Sequence, residues 1–209
     1  MTEETAPGDN NKTVDLSNYS RIIGLEGLVS GRYSMHFLAQ LYAESMLIGR
    51  LNPARVIQEI EALEGIREST TKSPTQFSRL PLKGLWHKHH TVDGIPSLAM
   101  NIKNGLKRHG MPLFQQMIQE AKEAGEERYV SPEDVPALVN DIVSGNLSRR
   151  RAAKEETGEW IVYAVHEEQN YYLCLGTHKT KDAIIRHDIE KNCTPQFPFL
   201  KDILAPLNQ

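Results

Sequence analysis

Two cysteines, Cys174 and Cys193, are all that this chain of 209 residues contains. Their number and separation exclude a disulfide framework and a thiolate metal site. No apolar run approaches the ~20 residues needed to span a bilayer. Charge of one sign is also lacking: the formal net charge of −3 argues against a generic polyanion binder, so contact with nucleic acid would need a local basic patch. Residues 1–15, MTEETAPGDNNKTVD, show no basic-then-apolar leader pattern and no hydrophobic period, and are expected to form a disordered tail. The phosphate-binding G-x-x-x-x-G-K-[ST], the dinucleotide G-x-G-x-x-G, the hydrolase G-x-S-x-G and the zincin H-E-x-x-H are all missing. These absences lead to the expectation of a cytoplasmic protein with no cofactor, no bound metal and no membrane association.

What remains is an ordinary supply of core: 39% of the residues are hydrophobic and 24% charged, as in water-soluble globular domains. Leu38, Leu41, Tyr42 and Ile48 recur at helical spacing. Asn52-Pro53 then opens a second helix, Asn as cap and Pro in the first turn, with Val56, Ile60 and Leu63 as its buried stripe and Gly65 as its stop. Residues 66–94 have no sustained period. Ile95, Leu98, Ile102 and Leu106 mark the next helix, ended by Gly110, and Leu113, Phe114, Met117, Ile118 and Ala121 another. Ser131-Pro132-Glu133-Asp134 predicts a further helix start, with Gly145 as its stop.

The texture changes at Gly158. "EWIVYAVHE" and "NYYLCLG" predict an antiparallel pair over 159–166 and 170–176. Both faces of the first strand are apolar, so the pair needs cover on both sides. A helix over 181–192, with Ile185, Ile189 and Cys193 at four-residue spacing, supplies one cover. The expected fold class is therefore α+β: a mainly helical stretch, 16–157, followed by a small antiparallel sheet covered by a C-terminal helix in 158–209. The two stretches are read as separate units or as one compact domain.

The chemistry concentrates in "LWHKHH", at the end of the long irregular connection, where functional residues are often found. His87, His89 and His90 titrate near neutrality and could share proton-acceptor and proton-donor roles. Lys88 could hold a phosphate or stabilise a developing anion, and Trp86 could stack on a base. His166 closes the first predicted strand, and His178 follows the second. Arg149, Arg150, Arg151 and Lys179 are candidate substrate-binding cations. In composition alone, a strand hairpin carrying His, Lys and Tyr is similar to small metal-independent ribonuclease toxins, a likeness that fixes no residue.

The leading expectation from these residues is a nuclease-like protein cleaving RNA without metal by histidine acid/base chemistry. The catalytic set is His87, Lys88, His89 and His90 with His166 or His178. The alternative is a non-catalytic binding protein, an immunity or regulatory partner of another protein, and in that case not an enzyme. A third reading is a metal-dependent hydrolase through His87 and His89, which point to one side if their segment is a strand. The bland reading is a packed tryptophan with a wet polar fringe.

Overall fold

The computed structural model describes residues 15–92, 94–127, 129–156, 158–177, 179–204 and 206. The residues assigned to the expected tail lie, but for Asp15, outside that set. Four short helices lead: α1 (Leu16–Ile22), α2 (Leu25–Val29), α3 (Met35–Tyr42), which continues as a wide turn over Ala43–Leu47, and α4 (Pro53–Leu63). Their starts follow from local chemistry. The side chains of Asp15, Ser34 and Asn52 each accept a hydrogen bond from a first-turn N–H, and Pro53 follows Asn52 as predicted. Strands β1 (Thr75–Gln76) and β2 (Trp86–His90) come next, then α5 (Ile95–His109), α6 (Pro112–Ala124), α7 (Val135–Asn140) and α8 (Asn146–Ala152). The chain ends with β3 (Glu159–His166), β4 (Gln169–Gly176), α9 (Asp182–Asn192) and α10 (Leu200–Ile203).

The strands form one antiparallel sheet in chain order, β1-β2-β3-β4. Thus the α+β class holds, with helices first and a C-terminal helix on the sheet, and the sheet draws strands from either side of Gly158. Period-2 alternation sorts its side chains onto two faces, offset by one residue at Leu173, which the β3–β4 pairing skips. On one, Ile161, Tyr163 and Tyr172 join Leu25, Phe37, Leu41, Val56 and Ile60 from α2–α4. On the other, Val162, Ala164, Leu173 and Cys174 meet Ile185, Ile189, Cys193 and Leu200, together with Leu82 and Leu85 from the segment before β2. This is the two-sided cover that an all-apolar β3 demands.

The helices between β2 and β3 differ from their sequence reading in two places. Ser131 and Asp134 exchange hydrogen bonds as a start signal should, and regular helix sets in at Val135. Gly145 does not stop the helix. The chain passes through a wide turn, Asp141–Gly145, directly into α8, and a Cβ at 145 would lie 2.8 Å from the Asp141 carboxylate and 3.1 Å from the Arg149 guanidinium. Glycine is there to let the Arg149–Asp141 ion pair cross the backbone. α8 packs against α5, where Gly105 brings the two helices together over Asn146. Among the described residues, no helix is long and apolar enough to cross a membrane.

β3 and β4 are joined by the two-residue turn Glu167-Glu168, and both residues have positive φ, 48° and 62°. That conformation suits the twist of a hairpin and favours Asn-Gly over larger residues. Replacing Glu167-Glu168 by Asn-Gly should therefore raise stability by about 1 kcal/mol, and thermal unfolding followed by circular dichroism should show Tm higher by ~2–4 °C. An unchanged or lowered Tm would mean that the turn is not strained.

Candidate functional site

β2 carries the histidine-rich stretch, and its pairing decides where each side chain goes. Trp86, His87, Lys88, His89 and His90 lie opposite Tyr163, Val162, Ile161, Trp160 and Glu159 of β3. Strand alternation divides them: Trp86, Lys88 and His90 share the face of Ile161 and Tyr163, while His87 and His89 share that of Trp160 and Val162. The stretch is therefore not one cluster but two half-sites on opposite sides of a sheet.

On the first face Lys88 is 2% exposed. Its ammonium lies 3.2 Å from Glu59 of α4 and donates to Ser69 Oγ (2.7 Å), Thr71 Oγ1 (2.8 Å) and the Lys72 carbonyl (2.7 Å). Burial pushes its pKa below the usual lysine range, and the Glu59 carboxylate pulls in the opposite direction. This corrects the expectation of a cation poised beside the histidines: the ammonium is fully engaged in the core, with the sheet between it and His87 and His89. Trp86 is half-buried and stacks on Tyr163, with 6.4 Å between ring centroids. It anchors the strand, as expected of a tryptophan, with Tyr163 stacked beside it.

His90, on the same face, is 1% exposed. Its Nδ1–H donates to the Thr91 carbonyl at 3.4 Å, and its Nε2 is buried with no hydrogen-bond partner among the described residues. Burial holds the imidazole neutral, with its pKa pushed down to about 4. Gly158 faces it so closely that a Cβ there would overlap the His90 carbonyl oxygen, which explains the glycine where β3 begins.

On the second face the His87 ring sits 4.6 Å from Phe77, 5.2 Å from Trp160 and 5.6 Å from His89. His89 is mostly buried, and its Nδ1 lies 3.1 Å from the Gly158 carbonyl. A carbonyl only accepts, so it is Nδ1 that carries a proton in this contact. Two imidazoles and an indole thus share a face, with the expected His-x-His geometry. Among the described residues, no three metal-ligating side chains converge there or elsewhere.

The remaining candidates are dispersed. His166, six residues along β3 from the partner of His89, is about 20 Å away along the strand and stacks flat on Phe199 at 4.0 Å. His178 lies outside the described residues. Lys179 is exposed in the turn after β4. The run Arg149–Arg151 is helical, so its side chains diverge: Arg149 pairs with Asp141, Arg150 is buried against Asn101 and the Glu155 carbonyl, and Arg151 reaches Glu156 at 3.3 Å.

A cavity of about 600 Å³ opens on the Lys88 face, where Glu59 lines it, between α4, the loop 67–70, Thr91, Val92 and Gly94, α5 and α8. Arg55, Arg67 and Arg151 reach it from three different segments, with Gln58, Thr70, Thr91, Ser97 and Asn101 between them. Of its carboxylates, Glu59 is engaged by Lys88, Glu68 by Lys154, and Glu156 by Thr70 and Arg151. The first turn of α5 borders the cavity at Gly94, Ser97 and Leu98 and has no side-chain cap, so its N–H groups add positive potential. Only Arg151 of this set was singled out in the sequence. Glu59 left a legible trace, an acid between the buried Val56 and Ile60 of α4; Arg55 and Arg67 left none, since surface arginines on a helix and its exit are commonplace. No family model, no curated protein and no solved structure matches the chain.

The buried His90 makes the site sensitive to acid. Its native pKa is depressed, so the unfolded chain takes up a proton first as the pH falls. Its contribution is fully present above pH ~6.5 and is lost between there and pH ~4, at a cost of about 3 kcal/mol. Urea unfolding across this range should show that loss in the wild type and a flatter limb in His90→Leu. Parallel limbs would mean that His90 is not the group responsible.

Proposed function

We propose that this is a binding protein whose arginine-lined cleft takes a phosphate-bearing ligand of about nucleotide size, in the reducing setting of the cytoplasm. The convergence of Arg55, Arg67 and Arg151 on one cavity carries the reading. Guanidinium groups recognise phosphate oxygens bidentately, and a volume of about 600 Å³ is ordinary for a small-molecule site. Arg67 and Arg151 are free to exchange partners. Their side chains are 45% and 61% exposed in pairs of 3.2 and 3.3 Å, and such pairs are worth under about 1 kcal/mol. The buried thiols of Cys174 and Cys193, both unpaired, support the compartment. A nucleotide end of an RNA and a free nucleotide present the same phosphate chemistry, so RNA stays among the ligands to test.

Isothermal titration should give saturable one-to-one binding of pyrophosphate, a nucleoside monophosphate or a short single-stranded RNA. Arg67→Ala and Arg151→Ala should each weaken it by about tenfold, the value of one charge-assisted hydrogen-bond partner, with unfolding unchanged. Equal affinity in the double variant would remove the cleft from consideration.

A second reading, RNA cleavage by acid/base histidines, is favoured by one observation: His87 and His89 share a sheet face with Trp160. One imidazole would take the proton of the 2′-hydroxyl as it attacks the phosphorus, and the other would protonate the departing 5′-oxygen. Single-stranded RNA incubated with chelator should then be cut by the wild type and spared by His87→Ala and His89→Ala. Intact RNA with the wild type disposes of this reading and leaves the cleft proposal standing.

A further inference from the structure

Glu59 is 6% exposed and lines the arginine cleft from α4. Both of its contacts fall on one oxygen: Ser69 donates to Oε2 at 2.7 Å, and the Lys88 ammonium stands 3.2 Å from the same atom. Among the described residues, Oε1 accepts no hydrogen bond. Glu156, also in the lining, is met on both oxygens, by Thr70 on Oε2 and by Arg151 on Oε1. A buried acceptor left open is costly unless some other donor meets it, and this one borders a cavity of about 600 Å³.

Charge and spacing decide which donor fits. Lys88 already balances the charge of Glu59, and Arg55, Arg67 and Arg151 line the same cavity. An ammonium would find no unpaired anion there and would be repelled by the guanidinium groups. The open oxygen therefore suits a neutral donor. Arg55 precedes Glu59 by one turn of α4, and both reach the cavity; side chains so placed stand about 5–6 Å apart at Cβ. A phosphate held by Arg55 thus brings Glu59 to the carbons nearest the phosphate ester. In phosphorylated sugars and polyols those carbons carry hydroxyls, whereas a nucleobase lies beyond them.

We propose that the ligand of the cleft is a phosphorylated sugar or polyol, its phosphate on the arginines and a neighbouring hydroxyl donating to Glu59 Oε1. The inference rests on the phosphate-cleft reading above and narrows it. A ribose phosphate fits, free or within a nucleotide; pyrophosphate brings no hydroxyl and sets a second anionic group against Glu59. Gln58 and Thr91, which can both give and accept hydrogen bonds, are in the lining to meet further hydroxyls.

Isothermal titration of the full chain with glycerol 3-phosphate and with n-propyl phosphate, which has the same carbon chain and no hydroxyl, tests this. Glycerol 3-phosphate should bind about tenfold more tightly, the value of one hydrogen bond to a charged acceptor. That preference should vanish in Glu59→Met/Lys88→Met, where the pair is removed whole and no lone charge stays in the core. Arg67→Ala should weaken both esters and keep their ratio. Adenosine 5′-monophosphate binding more tightly than ribose 5-phosphate would identify the sugar as a nucleotide's, and equal affinity as a free one. Equal affinity for the two three-carbon esters in the wild type overturns the inference, as does a preference that survives in the double variant. Should that variant unfold, the wild-type comparison decides alone. Failure of every ester to bind also overturns it; the phosphate reading then survives if pyrophosphate still binds and falls with it if not.

Discussion

A charged ammonium in the interior is expensive: removing Lys88 from water costs several kcal/mol unless its donors are met. The fold answers by gathering acceptors from distant positions, Glu59 from α4 and the Ser69, Thr71 and Lys72 groups from the loop that follows it. The irregular segment is held in place because this one side chain requires it. Thr71 is tied to β2 a second time, through its hydroxyl and the His89 carbonyl at 2.9 Å. Thr70 and Glu68, bordering the cleft, inherit their positions from that anchorage. The wall of the proposed binding site is a by-product of burying a lysine.

The same strand explains why histidines adjacent in sequence do not act together. A strand sends neighbours to opposite faces, so on one side the stretch sends Lys88 to Glu59 in the wall of the polar cleft, and on the other it sets an imidazole pair. The two proposed activities are thereby insulated. A ligand entering between Arg55, Arg67 and Arg151 meets neither His87 nor His89, and the sheet between them transmits no side-chain contact.

The sequence made β3 and β4 legible because aromatic and β-branched residues fill them, and it made α4 legible through its Asn52-Pro53 start. It concealed β2. Lysine and histidine have little preference for strands, and the pairing that makes one of "WHKHH" comes from β3, some seventy positions later. Strand preference of this kind is a property of the neighbours rather than of the residues. Gly145 misled for a similar reason, as its role depends on an ion pair passing over it and not on ending a helix. The cleft was the least visible feature, since its arginines meet only after α4 and α8 have been brought together around β2.

The order of the sheet bears on how the protein behaves at high concentration. On one side the outermost strand is only Thr75–Gln76, and on the other the middle of β4 is bridged by residues 32–34, whose backbone exchanges hydrogen bonds with Tyr172. Open strand flanks are where chains add to one another and grow into fibres, and natural sheets shorten or cover them. A molecule finished in this way can expose apolar helices without offering its backbone as a template for polymerisation.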